Sequence, residues 1–405
     1  MSDAAAALET ASPEPAAPRA RRALMKRLAD VVCLPGSRVN AFERAMTADL
    51  LVEMLRDAAV GDRVKVARRL SNLTEIPHTL LRLLLADDIA VARPLLEDCL
   101  HLPDGDLVRC ARDATPEHRR LIAQRRHVGE LLSEALVEAG ETPVVEALLR
   151  NDKAELSQPG VEMVVAATRD QPELIPHLLR RPELRPSHAY VMFWWADGDA
   201  RRIILQRFAV SREVLQEAAA DVFPMMAEEG WQDPLARKAL QFIERRQRNR
   251  AAVERSPYEN LEAAVEAHAS GLTRHGVEEI SYLSGLKPTT GAKIFTDPGG
   301  EPLAVLCKAT GLPKASLRQL WRGLRRPETD ESGGTAAGFE RVLIAYDTIA
   351  VDRAQTVLRY WNWALSSALT PALMRVIRSG DDEALDQHSP PERAARLVFG
   401  ADLSR

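Results

Sequence analysis

The chain has 405 residues, of which 46% are hydrophobic, 28% charged and 5% aromatic. These proportions are those of a folded globular protein of about two to three domains, and they exclude a largely disordered chain, a collagen-like repeat and a disulfide-rich secreted scaffold. The 54 basic and 58 acidic side chains give a formal net charge of −4. Because the charges nearly balance, only local clusters can indicate a polyanionic partner.

The chain begins with residues 1–20, which are rich in Ala and Pro and have no hydrophobic periodicity, so we expect a disordered tail. This start lacks the basic and apolar regions of a secretion signal. The four cysteines form no C-x-x-C pair, and we therefore expect a protein of a reducing cytoplasm. The longest uncharged apolar stretch, residues 189–196, is far shorter than the about 20 residues that a membrane span requires. It predicts a buried helix rather than a strand.

Residues 21–255 form the first predicted domain, in which apolar residues recur at helical spacing. Frequent helix-start signals support short helices joined by short turns. Two segments, Ser256-Pro257-Tyr258-Glu259 and Ser389-Pro390-Pro391-Glu392, match a capping box with Pro in the first turn. No stretch alternates apolar and polar residues for long enough to predict a strand, so the fold class is all-α.

The predicted helices also recur in a pattern. A Leu-Leu helix end followed by a polar break occurs at 84–88, 148–152 and 178–182, with a weaker copy at 121–125. Spacings near 27–37 residues suit a two-helix unit, which cannot bury its apolar face alone and therefore stacks on its neighbours. The pattern predicts a HEAT-like α-solenoid of antiparallel helix pairs.

A family resemblance supports this architecture. The segments LLLADDIAVARPLLEDC and LAVLCKATGLPKASL, and above all the block from Asp106 to Asp152, resemble the domain-of-unknown-function family 2336, a bacterial group of HEAT-like helical proteins. The resemblance extends from about residue 40 to 325 and implies an all-α repeat fold without assigned catalytic residues or cofactors. Beyond it, the Gly-rich stretch 327–338 predicts a flexible linker, followed by a small C-terminal helical segment, residues 339–405.

Two sets of residues could carry chemistry, but the pattern favours structural roles for both. Cys99, His101, Cys110 and His118 do not have the spacing of a known zinc site, and both cysteines continue apolar stripes. The match of 284–287 to S-x-x-K lacks the companion motifs of the serine enzymes that use it. No P-loop, H-E-x-x-H or G-x-S-x-G motif occurs. We therefore predict a protein that is not an enzyme and has no metal ion or cofactor.

Residues 256–326 form a second predicted part with two helix-turn-helix-like pairs, each with Gly-Leu in its turn. The last helix, 314–326, is basic and has no acidic residue: it carries Lys314, Arg318, Arg322, Arg325 and Arg326. It is either a DNA-recognition helix that neutralises phosphates or a solenoid helix with a basic, solvent-exposed face. A second basic cluster, 237–255, predicts a charged surface helix, with an acidic partner or anionic lipid as the alternative.

The predicted helix 353–370 carries more apolar surface than one face can hold. Leu358, Trp361 and Leu365 share one side, whereas Tyr360 and Trp363 point roughly the opposite way. Either this helix is sandwiched inside the fold, or Tyr360 and Trp363 form a docking face for a partner.

These features predict a non-catalytic helical-repeat scaffold or regulatory adaptor that binds another protein, since solenoids present extended recognition surfaces. The alternative is a DNA-binding regulator that uses the basic helix 314–326. The identity of the partner is not encoded in any motif, and a homo-oligomer is also compatible with the pattern.

Overall fold

The computed structural model describes residues 16–210, 254–380 and 383–404. In these ranges the chain contains 22 α-helices and only two isolated β-bridges, which confirms the all-α class. The chain divides into two compact units, one that ends at Val164 and one that begins at Val165. None of the described helices is both long enough and apolar enough to cross a membrane.

Unit 1 is a series of short helices. They are α1 Ala16–Val32, α2 Ala41–Arg56, α3 Val60–Leu70, α4 His78–Leu85, α5 Ile89–Asp98, α6 Asp104–Asp113, α7 Pro116–Ala123, α8 Glu130–Glu138, α9 Thr142–Arg150 and α10 Gln158–Ala167, which crosses the unit boundary. Chain neighbours such as α6 and α7 or α8 and α9 contact each other. Each of α1, α3, α5 and α7 also contacts the helix two positions further along.

Polar side chains join positions about one helix pair apart in unit 1. The Arg63 guanidinium lies 2.6 Å from the Asp87 carboxylate, 24 residues along the chain. Arg119 binds Glu141, 22 residues along, with an Nε–Oε2 distance of 2.7 Å. Asn151 donates to the carbonyl oxygen of Ala123, 28 residues back. Packing of apolar side chains gives no hydrogen-bond partner to the backbone carbonyl groups and charged side chains between short helices. These bonds supply those partners.

Unit 2 contains the remaining helices. They are α11 Ile175–Leu178, α12 Pro186–Met192, α13 Gly198–Ile203, α14 Leu261–Ala267, α15 Arg274–Leu283, α16 Pro288–Thr296, α17 Glu301–Thr310, α18 Lys314–Gly323, α19 Ala337–Thr348, α20 Val351–Arg359, α21 Pro371–Ser379 and α22 Pro390–Leu403. Helix α17 is the central one, since it contacts α16, α18, α19 and α20. Its residues 301–307 are all buried.

The core of unit 2 is an aromatic cluster. The apolar stretch 189–196 does not form a strand: residues 189–192 end helix α12, a turn follows, and all eight residues except the half-buried Trp195 are buried, so the predicted buried helix covers only the first half of the stretch. The ring of Trp361 lies 5.1 Å from that of Phe193 and 4.7 Å from that of Trp194. Its indole Nε1 donates to the carbonyl oxygen of Tyr190 at 3.1 Å, so the polar atom is satisfied inside the apolar core.

A buried ion network joins two segments of unit 2 that are about 100 residues apart. Arg201, 5% exposed, donates to Asp297 at 2.7 and 2.8 Å and to Glu301 at 2.8 Å. Its Nε donates to the carbonyl oxygen of Phe193 at 3.1 Å. Burial alone would lower the pKa of Arg201, but the hydrogen bonds and charges of the two carboxylates outweigh it and raise that pKa. At Gly299 a Cβ would lie within 2.3 Å of this network, so only glycine fits.

The predicted linker 327–338 is a hydrogen-bonded loop. The amide of Ala336 donates to the carbonyl oxygen of Glu328 at 2.9 Å, and Asp330 accepts from the amide of Gly334 at 2.9 Å. Helices α19 and α20, which follow the loop, pack on α17, which precedes it. Residues 256–326 and the C-terminal segment therefore lie in one unit rather than in separate parts. The reason is that helices from both segments pack on α17 and bury it.

Two other boundaries differ from the sequence predictions. The capping box at Ser389 and Glu392 is confirmed, but the one predicted at Ser256 is wrong. Helix α14 begins at Leu261 after an Asn260 cap, and the Ser256 hydroxyl donates to Glu279 instead. Helix α1 begins at Ala16, inside the predicted tail. Residues 1–15 and nearly all of the basic cluster 237–255 lie outside the described residues.

The ion network predicts the effect of Arg201→Ala. Removal of the guanidinium leaves the buried Asp297 carboxylate without its cation and leaves Glu301 with Arg341 at 3.4 Å, so the free energy of unfolding should fall by about 3–5 kcal/mol. Urea denaturation followed by circular dichroism measures this change. The matched control is Arg202→Ala, next in the chain but exposed and paired with Asp199, which should change stability by at most about 0.5 kcal/mol. Equal losses in the two variants would contradict the assignment.

Candidate functional site

The basic helix predicted from the sequence is α18, and its two sides differ. Leu317, Leu320 and Trp321 are buried, and α18 contacts α14 and α17. Arg318 and Arg322 lie on the exposed side. The helix therefore combines a core face with a solvent-exposed basic face.

Most of the basic groups in this segment already have partners. Lys314 Nζ lies 2.6 Å from Asp347, and Arg322 Nε lies 2.5 Å from Glu328, which is also 4.0 Å from Arg318. Both acidic partners lie outside α18: Asp347 is on α19, and Glu328 is in the loop between α18 and α19. Such internal neutralisation lowers the attraction of the helix for phosphates.

The end of the basic segment has an unusual backbone. Arg325 is the one non-glycine residue with a positive φ, 56°, among those that the structure describes, and it is exposed. The Arg326 side chain turns back onto the fold, where its guanidinium lies 5.0 Å from the ring of Trp321 and donates to the carbonyl oxygen of Asp297. Burial lowers the pKa of Arg326. Only Arg318, Arg322 and Arg325 remain as a solvent-exposed basic surface.

Both predicted helix-turn-helix pairs are present as α15–α16 and α17–α18. The turns use Gly285 (φ 72°) and Gly311 (φ 80°), in the left-handed region that favours glycine. A helix-turn-helix pair normally has an apolar residue at the position that Gly291 occupies in α16. Gly291 faces Ser281 of α15 so closely that a Cβ would lie 2.0 Å from the hydroxyl. Close helix approach explains this glycine.

The paired charges lead to a prediction about DNA. At about 150 mM salt the native chain should not be retained on heparin, because Glu328 and Asp347 compete for the same cations with the sulfates of heparin, as they would with the phosphates of DNA. Glu328→Gln removes one competitor, and this variant should elute at higher salt than the native protein. A specific duplex complex tighter than about 10⁻⁸ M would contradict the prediction and favour the DNA-binding alternative.

The structure separates the two aromatic residues that the sequence placed together. Tyr360 is buried, with its ring 5.5 Å from that of Tyr190, whereas Trp363 is 46% exposed. The predicted continuous helix 353–370 is instead α20 followed by a π-helical turn, Tyr360–Leu365. This wider turn changes the angular positions expected from an α-helix. Tyr360 therefore lies in the core and not on an outward face.

This arrangement predicts different costs for two neighbouring tryptophans. Trp361→Ala should lower the free energy of unfolding by about 3–5 kcal/mol, because it empties a buried aromatic site. Trp363→Ala should cost less than about 1 kcal/mol, since the side chain is half exposed. Chemical denaturation of the two variants checks the difference, and a larger loss for Trp363→Ala would show that the packing is misassigned.

The cysteine–histidine set has structural surroundings. Cys110 Sγ donates to the carbonyl oxygen of Leu85, and burial raises the pKa of this thiol to about 11. The ring nitrogens of His118 lie 2.8 Å from the Thr115 hydroxyl and 3.1 Å from the carbonyl oxygen of Asp87, and burial lowers its pKa. Across the described ranges, no group of three or more His, Cys, Asp or Glu side chains is arranged to hold a metal ion.

The lysine of the S-x-x-K match holds a turn. Lys287 Nζ donates to the Ser367 hydroxyl at 2.6 Å, and burial lowers its pKa. The Lys287 amide donates to Asn362 Oδ1 at 2.6 Å, while Asn362 Nδ2 donates to the carbonyl oxygen of Gly285 at 3.0 Å. The motif's Ser284 takes no part in these bonds. The arrangement fixes the α15–α16 turn against the π-helical turn.

A surface that the sequence analysis did not identify lies on α2. Phe42, Met46 and Leu50 are 73%, 53% and 57% exposed and follow each other at i, i+4, i+8. On the other side of the same helix, residues such as Leu51 and Leu55 are completely buried. Met46 and Leu55 are nine residues, or two and a half turns, apart and so lie on opposite sides. Helix α2 therefore has two apolar faces, of which one is exposed.

A groove of ≈470 Å³ runs along this exposed side, between α2 and Thr79 of α4. Asp49 and Glu53 line it together with Met46 and Leu50. Asp49 accepts a long hydrogen bond, 3.4 Å, from the Thr79 hydroxyl. Arg56 also lines the groove and lies 3.4 Å from Glu53, whereas Asp49 has no ion pair among the described residues. The groove thus combines apolar contact area with a net negative charge, from two carboxylates and one guanidinium.

Residues 91–359 match the family DUF2336, described as an uncharacterised protein conserved in bacteria. The chain belongs to this family. No curated protein and no solved structure matches the chain.

The DUF2336 match starts and ends later than the resemblance to residues 40–325 predicted. It includes α18 and ends at residue 359, just before the π-helical turn, whereas α2 lies outside it. The sequence does contain a signal for the α2 surface: Phe42, Met46 and Leu50 form one apolar row and Ala48, Leu51 and Leu55 a second. Two such rows on one helix indicate an apolar surface on both sides.

Proposed function

We propose that the protein is a non-catalytic helical-repeat adaptor of the bacterial cytoplasm that binds another protein through the outer face of α2. The observation that carries the proposal is the second apolar face of this helix. A helix that is apolar on both sides is normally covered on both sides. Three large exposed side chains in a row are typical of an interaction site rather than of a solvated surface.

Two features of unit 1 support the repeat part of the proposal. Alternate helices contact each other along the unit, and polar bonds recur between positions 22–28 residues apart. Stacked antiparallel pairs in a HEAT-like solenoid would produce both.

The energetics fit a reversible complex. Burial of the parts of Phe42, Met46 and Leu50 that are still exposed offers about 3–5 kcal/mol from the hydrophobic effect. Association itself costs about 4–15 kcal/mol in lost freedom, so the apolar row alone gives modest affinity. Additional polar contacts at the groove would then decide which partner binds.

The test compares affinity capture from the native host with native protein, Leu50→Asp and Leu131→Asp. Leu131 is 76% exposed on α8 of the same unit, which makes it a matched control for an added carboxylate. We expect Leu50→Asp to lose co-purifying proteins, because the new charge disrupts the apolar row, while Leu131→Asp and the melting temperatures stay unchanged. Identical protein sets from all three samples, identified by mass spectrometry, would rule out this face as the binding site.

A further inference from the structure

The exposed row on α2 has the dimensions of a helix-binding surface. Phe42 and Leu50 are eight residues apart, which corresponds to about 12 Å along the helix axis. An α-helix presents apolar residues at i, i+3/i+4 and i+7 over the same length, so its ridge can lie along this row. A peptide that binds as an added β-strand would need unpaired backbone groups on a sheet edge, which a helix surface does not offer.

The charges along the groove select the polar residues of such a partner. Among the described residues, Asp49 accepts the long bond from Thr79 and has no ion pair, and Glu53 shares its charge with Arg56 at 3.4 Å, where both side chains are more than 60% exposed. A lysine or arginine on the partner can place its apolar stem on Met46 or Leu50 and its charged end on Asp49.

A second copy of this chain is a poor occupant of the same face. In an antiparallel pair of α2 helices centred on Met46, Asp49 of one copy would lie at the level of Glu43 of the other, since each is three residues from the centre. In a parallel pair, Asp49 would face Asp49. Like charges at one level oppose association, so self-pairing leaves the negative charge of the groove uncompensated in either direction.

We propose that the outer face of α2 binds an amphipathic helix of another protein that carries lysine or arginine beside its apolar ridge, at the level of Asp49 and Glu53. This inference rests on the proposed function and adds the chemistry of the partner. The apolar row supplies most of the contact area, and the two carboxylates determine which amphipathic helices are accepted.

The probes are two fluorescein-labelled synthetic helical peptides with the same leucine ridge, one flanked by lysines and its twin flanked by glutamates. Fluorescence anisotropy with the full chain measures both affinities. At low salt the lysine peptide should bind about tenfold more tightly than its twin, and the ratio should shrink as salt rises.

Three variants make the test specific. Asp49→Lys should reverse the preference in favour of the glutamate peptide, because the sign of the groove charge changes. Glu138→Lys, an exposed acid on α8, changes the net charge equally and should leave the preference intact. Leu50→Asp should abolish binding of both peptides while the melting temperature is preserved.

The outcomes separate this inference from the proposed function. If both peptides bind equally and Leu50→Asp still abolishes binding, the charge selection is wrong but the binding face stands. If neither peptide binds, the helical partner is wrong, and capture from the host decides the binding face independently. A native dimer by light scattering that becomes monomeric in Leu50→Asp would show that the occupant is a second copy.

Discussion

Unit 2 depends on the requirement that a buried guanidinium finds an acceptor for each of its donors. Arg201 lies on α13, and its carboxylate partners are Asp297, in the loop before α17, and Glu301, the first residue of α17. The guanidinium therefore finds its acceptors only when α13 lies beside the start of α17. Buried ion pairs of this kind add little net stability, but they tolerate few alternative arrangements. The central helix α17 begins in this network, at Glu301. Helices α16, α18, α19 and α20 pack on α17, so the network also fixes the surface on which they pack.

The two apolar faces of α2 connect fold and proposed function in unit 1. The inner face, with Leu51 and Leu55, is completely buried and joins the helix to the unit. The outer face exposes a row of similar size, and the Asp49 carboxylate, which accepts a bond from Thr79, lies beside it. Hydrophobic area is non-directional, so the row alone would accept many apolar surfaces. The charge at Asp49 is what can make the site selective.

The basic helix α18 illustrates why local charge does not define a surface. The segment 314–326, which contains this helix, has five basic residues and no acid, yet Asp347 and Glu328 pair with Lys314 and Arg322 from other elements. The side chain of Arg326 binds backbone carbonyl oxygens instead of facing solvent. The electrostatic character of a helix therefore depends on its neighbours in space as much as on its own residues.

The sequence by itself determined the helical class, the αL glycines of two turns and the cap at Ser389, because these depend on residues within about one turn of each other. Only the tertiary structure decided which carboxylates neutralise α18, that Tyr360 is buried while Trp363 is not, and that one apolar row of α2 is exposed. Each of these depends on contacts between residues far apart in the chain or on a π-helical turn that shifts the helical period. Helical periodicity predicts which residues share a face, but it contains no information on what covers that face.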